Sequence, residues 1–397
     1  MISRNDKIEE LKSFLGKDVI KVVTGFRRSG KSSLFNLFID YLLNSGVTND
    51  SIININFEDP ANQFEDYKTL YDYILGKVSG EKKYFVFLDE IQNVKNFEKA
   101  IDGLYLKKNL DIYITGSNAN LLSGELATLL SGRYIEIEML PYSFKEFSLA
   151  YDRDIDDRKK FDTYFVNGGM PGNIDFIDDG LSYKYLDGVF STVVYKDIMQ
   201  RIKVSDKILM ESIIKYLSSI IGSFTNIKSI SDYLTSNTYK TTNHTVEKYV
   251  QAFIESFLFY KLDAFDIEGK QILKRNYKYY IVDAGFVNYL FGKSANKNYG
   301  HLLENIVFLE LKRRYNEVYT GKIGDNEIDF IVKNKDTIEY YQVAYRTDDE
   351  ATLKRELSPL KKIENDYKKT ILTMDDFPDT DFDGIMRTNI IKWLLNK

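Results

Sequence analysis

The chain contains no cysteine, which excludes disulfides, zinc ribbons, iron–sulfur clusters and thiol nucleophiles together. His244 and His301 are the only histidines, too few for a histidine-built metal centre, and each reads as a surface or helix-end residue. Proline is rare as well, with five in 397 residues, a bias from which nothing functional follows. No apolar run reaches the length of a membrane span, and residues 1–15 carry charges every few positions where a signal peptide would be apolar. The expectation is a soluble, cytoplasmic protein with no membrane partner. A net charge of -5 excludes a protein that coats nucleic acid through overall basicity and leaves only local patches for such contact.

What is present is a chain too long for one ordinary core, so two or three domains are expected. Strands and helices alternate from residue 19 to about 150, the signature of a parallel sheet with crossover helices. The strands are read at 19–24, 51–57, 84–88, 111–115 and 133–138. Between them lie helices at 31–43, 64–78, 97–106 and 119–130. Helical periodicity follows from about 143 to 220, interrupted by Gly168-Gly169-Met170-Pro171-Gly172. Helices at 207–221, 229–235 and 242–257, then β-rich stretches at 259–265 and 277–282, read as a winged helix-turn-helix. The last part, in the order helix, three strands, helix, strand, is an α/β domain of its own.

The most specific motif is Gly25-Phe26-Arg27-Arg28-Ser29-Gly30-Lys31-Ser32, followed by Ser33, between an apolar strand and a helix. Glycines let successive backbone N–H groups converge on an anion, and the following helix adds its positive N-terminal dipole. Lys31 then reaches the β- and γ-phosphates, and the Ser32 hydroxyl holds Mg2+. Of Arg27 and Arg28, one serves to neutralise phosphate and the other to pair with a nearby carboxylate; the sequence does not rank them. The strand 84–88 ends in Asp89 and Glu90. Asp89 fits the Mg2+ partner at the edge where open parallel sheets hold ligands, and Glu90 is placed to orient and deprotonate the attacking water. Ser117 and Asn118, after the strand 111–115, are candidate sensors of hydrolysis or an N-cap for the next helix, two compatible roles. Arg133 is either a finger reaching into a neighbouring subunit, which requires a homo-oligomer, or half of a surface ion pair. No N-K-x-D tetrapeptide occurs, so ATP is favoured over GTP.

Together with Leu88-Asp89-Glu90-Ile91-Gln92, Thr115-Gly116-Ser117-Asn118, Leu130-Ser131-Gly132-Arg133, Leu140-Pro141-Tyr142-Ser143-Phe144-Lys145-Glu146-Phe147 and Gly168-Gly169-Met170-Pro171, the loop gives a motif order. In that order, over nearly its whole length, the chain resembles the archaeal-type AAA-superfamily ATPases. These are prokaryotic proteins with a C-terminal domain of unknown function. The resemblance implies a P-loop ATPase core at 1–150, a helical subdomain at 151–206, a winged helix-turn-helix at 207–290 and, at 291–397, an α/β domain like the PD-(D/E)xK nucleases. Glu304, Asp329 and Gln342 fall in the order E…D…(D/E)-x-K, with Gln342 in place of the second acid and Ala344 in place of the lysine. They read as a degenerate polar cluster in a fold kept for binding DNA or a partner. The candidate recognition helix, 242–257, offers Asn243, His244, Lys248 and Gln251, a thin basic set for reading DNA.

The expected function is Mg2+-dependent ATP hydrolysis coupled to domain motion, on or near DNA. The rival is a nucleotide-controlled switch that hydrolyses slowly and signals to a protein partner. A third reading is a metal-dependent nuclease.

Overall fold

The computed structural model describes residues 2–119, 130, 132–199, 206–237, 239–292, 299–334 and 337–396. These form two compact units, one of residues 1–139 with Glu255–Phe257 and the other of residues 140–254 with 258–397. The expected helix at 119–130 falls almost wholly outside the described residues, as does Ser131.

The first unit is a parallel five-stranded sheet in the order β2-β3-β4-β1-β5, with β1 at Ile20–Thr24, β2 at Ile52–Asn56, β3 at Tyr84–Asp89, β4 at Leu110–Gly116 and β5 at Tyr134–Glu138. All five fall where the alternating pattern put them. Side chains of β3 alternate between faces, as the two-residue period of a strand requires. Tyr84, Val86 and Leu88 pack with Leu70 and Ile74 of α3 (Tyr67–Lys77) and with Ile101 and Leu104 of α4 (Phe97–Tyr105). Phe85 and Phe87 pack in the opposite cluster, with Ile8 and Leu11 of α1 (Asn5–Ser13) and with Leu34, Phe35 and Phe38 of α2 (Lys31–Asn44). Both faces are thus covered by helices, which explains why the strands read as continuous apolar runs. β4 lies between β1 and β3, so three strand ends meet at one carboxyl edge.

The second unit begins with helices. In α5 (Phe144–Ala150) the Ser143 hydroxyl accepts from the Glu146 amide at 3.1 Å while the Glu146 carboxylate accepts from the Ser143 amide at 2.8 Å, a capping box. Further on, α6 (Lys207–Ser219), α7 (Ile227–Ser236) and α8 (Asn243–Glu255) precede an antiparallel hairpin of β6 (Phe259–Asp266) and β7 (Gln271–Ile281). Three helices and a hairpin are as expected from the sequence. The hairpin, however, is not free-standing: β6 pairs in parallel with β8 (Glu317–Ile323) from Ala264↔Thr320 to Asp266↔Lys322. It thereby extends an eight-stranded mixed sheet, β12-β13-β11-β10-β9-β8-β6-β7. The remaining strands are β9 (Asn326–Asn334), β10 (Thr337–Ala344), β11 (Lys368–Thr373), β12 (Thr380–Phe382) and β13 (Ile385–Asn389), the last two beyond what the sequence pattern indicated.

The Gly-Gly-Met-Pro-Gly interruption closes on Asp283, which caps the helix Ala284–Phe291. One carboxylate oxygen accepts from the Gly169 amide at 2.7 Å and the other from the Gly285 amide at 2.8 Å. A Cβ at Gly168 would lie 1.7 Å from that carboxylate, so no other residue fits there. Burial pushes the Asp283 pKa up to about 7, against the pull of these amides and of Arg313. An acid whose folded pKa exceeds its unfolded value stabilises the fold below the unfolded value, and that contribution is lost as pH rises through the folded one. The stability advantage of the wild type over Asp283→Asn is therefore expected to shrink by roughly 2–3 kcal/mol between about pH 5 and pH 8. Denaturant midpoints of both proteins across that range check it; parallel pH profiles would reject it.

Candidate functional site

The loop after β1 is built on backbone that only certain residues accept. Gly25 has φ 136°, and a Cβ there would lie 2.2 Å from the Met139 carbonyl oxygen. Gly30, at φ 102°, starts α2. Arg28 takes φ 64°, a left-handed conformation that carries strain in a residue with a side chain. Lys31 is buried and folds back into the loop, donating to the Gly25 carbonyl at 3.1 Å and the Phe26 carbonyl at 3.2 Å. Its ammonium also stands 3.3 Å from Glu90 Oε1. Ser29 Oγ is buried without a hydrogen-bond partner among the described residues, while the Ser29 carbonyl accepts from Arg4 Nη1 at 3.4 Å. A buried unpartnered hydroxyl in a loop of this geometry suits a polyanion with its own acceptors.

Asp89 and Glu90 leave β3 beside this loop. Asp89 accepts from the Thr115 hydroxyl at 2.5 Å and from the Asn56 amide at 3.0 Å, and it is hydrogen-bonded to Ser32 at the start of α2. Burial raises the Asp89 pKa, with Ser32, Thr115 and Lys31 pulling the other way. Glu90 sits at φ 56°, a strained conformation of the kind that gathers at working sites. Its amide donates to Thr115 Oγ1 at 2.8 Å, so one threonine fixes both acidic residues. Its Oε2 accepts from Ser117 at 3.0 Å and from Gln92 at 2.5 Å. Burial alone would raise the Glu90 pKa, but Lys31, Gln92, Arg27 and Ser117 outweigh it and hold the carboxyl below its ordinary value. Glu90 is therefore an anion at neutral pH.

Lys31, Ser32, Asp89, Glu90 and Ser117 are thus brought together, and Asn118 follows two residues after β4. Ser33 lies in the first turn of α2, and Phe26 is fully buried beneath the loop. Arg27 pairs with Glu58 at 2.7 Å and adds its charge near Glu90, whereas Arg28 points to solvent. Arg133 is not part of this constellation. It precedes β5, at the sheet edge away from the loop, and pairs with Asp102 at 2.8 Å. Sequence reasoning assigned no role to Asn56, Gln92 or Thr115. The available signal was their place at or just past the carboxyl ends of apolar strands.

The second unit holds a separate cluster. Glu304 lies on the helix Tyr299–Arg314, Asp329 on β9 and Gln342 on β10, and the fold does bring them together. The Asp329 amide donates to Gln342 Oε1 at 3.3 Å, and Asp329 Oδ2 accepts from the Val343 amide at 2.8 Å. An ammonium does reach this cluster, from Lys278 of β7, which no spacing rule would find. Its Nζ lies 2.8 Å from Glu304 Oε1 and 4.0 Å from Asp329 Oδ1, and it also pairs with Glu327. Burial would lower the Lys278 pKa, but Glu304, Asp329 and Glu327 raise it, so it is charged. Burial pushes Asp329 well above the usual carboxylate range, with Glu304 adding to it. Glu304 is lowered: burial works against ionisation and is outweighed by Lys278, His301 and Tyr280.

Residues 17–148 match the family described as an AAA domain, and residues 158–297 match a domain of unknown function. An uncharacterized protein of Haemophilus influenzae is 42% identical over 400 residues, covering 100% of this chain and 99% of its own. An uncharacterized protein of Methanocaldococcus jannaschii is 32% identical over 370 residues, covering 88% and 79%. Among solved structures, the Walker-type ATPase paby2304 of Pyrococcus abyssi is similar in fold, with a TM-score of 0.52 at 14% identity over 72% of this chain and 95% of that one. No helix among the described residues is long and apolar enough to cross a membrane.

Proposed function

The chain belongs to the family of these Haemophilus and Methanocaldococcus proteins and carries an AAA-type P-loop domain, and we propose that it binds ATP with Mg2+ and hydrolyses it. The reading is carried by one observation: Lys31, Ser32, Asp89 and Glu90 meet at a single sheet edge, linked through Thr115. The loop amides of residues 25–33 bind phosphate oxygens, and Lys31 exchanges the Gly25 and Phe26 carbonyls and Glu90 for the β- and γ-phosphates. Ser32 and Asp89 hold Mg2+, which supplies positive charge against the phosphates. Glu90 keeps its hydrogen bonds to Ser117 and Gln92 while it orients the water and accepts its proton. Ser117, and Asn118 beside it, then sense the γ-phosphate. Arg133 is free to act only in a neighbouring subunit's site, by leaving Asp102, so the finger role goes with homo-oligomerisation.

The hydrolytic cycle is coupled, on this reading, to movement of the second unit on or near DNA. Asn243, His244, Lys248 and Gln251 are all exposed on α8, as a DNA-reading face requires. The rival reading, a slow switch that signals to a protein partner, draws on the Lys31–Glu90 pair, which must open before either residue can serve the nucleotide. Phosphate release by the full chain, with and without duplex DNA, separates them. Severalfold stimulation is expected for the first reading and indifference to DNA for the second. Lys31→Ala is expected to weaken ATP binding at least tenfold, a loss of about 1.4 kcal/mol or more, by calorimetry. Undiminished binding in that variant would remove the phosphate-loop assignment.

A further inference from the structure

The resemblance to PD-(D/E)xK nucleases implies a divalent metal ion among Glu304, Asp329 and the residue at 342, and the side chains in this chain do not fit one. We propose that the Lys278 ammonium is the resident cation of this cluster, taking the position that a divalent ion would need and leaving the wild-type chain without a metal site there.

Lys278 reaches the cluster from β7, and its side chain is 1% exposed. An ammonium carries three N–H donors and no acceptor. Three acidic side chains surround this one: Glu304 at 2.8 Å, Glu327 in direct contact and Asp329 at 4.0 Å. Part of the remaining acceptor capacity is committed as well. Glu304 Oε1 accepts a second hydrogen bond, from the Tyr280 hydroxyl at 2.7 Å, and Asp329 Oδ2 holds the Val343 amide. Gln342 does not face the carboxylates with a spare oxygen. Its Oε1 takes the Asp329 amide, and its Nε2 donates to Glu356 at 3.1 Å. A magnesium or manganese ion demands near-octahedral oxygen ligands at about 2.1 Å. It would have to displace a buried ammonium that is already paired with Glu304 and Glu327. Among the described residues, no group of three or more acidic, histidine or cysteine side chains is arranged to hold a metal ion. The position of the lysine is itself structural. β7 is paired with β6, and the Asn305 side chain clamps both the amide and the carbonyl of Ile281, at 2.8 and 3.0 Å. The hairpin is therefore fastened to the helix that carries Glu304.

The test uses the nucleotide-free full chain and Mn2+ alone, with bound ion counted by electron paramagnetic resonance. Wild type and Asp329→Asn are expected to bind the same amount of Mn2+. Lys278→Met, similar in length and uncharged, is expected to gain about one Mn2+ per chain, and Lys278→Met/Asp329→Asn to lose that gain. Two results overturn the proposal: wild type binding more Mn2+ than Asp329→Asn, or a folded Lys278→Met with no additional ion. Should Lys278→Met fail to fold, Lys278→Gln replaces it, and the wild-type and Asp329→Asn comparison decides the occupancy of the native cluster without either variant. Asp329-dependent nicking of plasmid DNA by the wild type with Mn2+ overturns it as well.

Discussion

Glu90→Gln is expected to lower the rate of ATP hydrolysis by about 10²- to 10⁴-fold, the usual worth of a positioned general base, while leaving ATP affinity within a few fold. The amide is the same size as the carboxylate and can still accept from Ser117, which donates to Glu90 Oε2 at 3.0 Å. What it cannot do is take the proton of the attacking water. In the wild type Lys31, Gln92, Arg27 and Ser117 hold the carboxyl below its ordinary value despite burial, as the proposed role of base requires at neutral pH. The substitution also removes the charge that Lys31 faces at 3.3 Å. Freed from that partner, Lys31 is the more available to phosphate, which is why affinity is not expected to fall. A loss of binding and turnover together would place Glu90 in nucleotide binding. Turnover equal to the wild type would dismiss it as the base. Phosphate release under saturating ATP and equilibrium titration of the same sample give both readings.

That expectation rests on a site whose outline was legible in the sequence and whose wiring was not. Gly25 to Ser33 and the Asp89-Glu90 pair stood out because each combines a local chain conformation with a fixed chemistry, and local conformation is what a motif encodes. The five strands were legible for a similar reason: a sheet covered on both faces writes continuous apolar runs into the chain. Thr115 is different. Its hydroxyl donates to Asp89 and accepts from the Glu90 amide only because β4 is inserted between β1 and β3, a strand order that no spacing within one segment announces. Lys278 is the extreme case. The sequence suggested that the ammonium of the C-terminal cluster was missing, since it looked two residues beyond Gln342 and found Ala344. The fold brings an ammonium beside Glu304 and Asp329 from a hairpin 64 residues earlier in the chain than Gln342, because β6 joins β8 and β7 follows β6. Long-range pairings of strands put these groups together, and the period of a single strand is silent about its neighbours.

Lys21 poses the same problem inside the core. It interrupts the apolar run of β1, where a parallel strand covered on both faces should hold none but apolar residues, and it is fully buried. Its ammonium lies 2.5 Å from Asp111 Oδ1 of β4, and the second oxygen of Asp111 accepts from the Gly16 amide at 2.9 Å. Burial lowers the Lys21 pKa, and the Asp111 carboxylate opposes that. Lys21→Met is expected to cost about 3–5 kcal/mol of stability, because it leaves a carboxylate sealed in the sheet with no close cation, the half-exposed Lys83 standing 3.8 Å away. Lys21→Met/Asp111→Leu is expected to recover most of that loss, since an apolar pair of similar volume carries no charge to desolvate. Denaturant titration of wild type, both single variants and the double variant closes the cycle. The two residues lie toward the amino ends of their strands, away from the carboxyl edge where Lys31 and Glu90 meet, so ATP binding by the double variant is expected to match the wild type. A double variant no more stable than Lys21→Met would show that the pair is not what this position contributes to the fold.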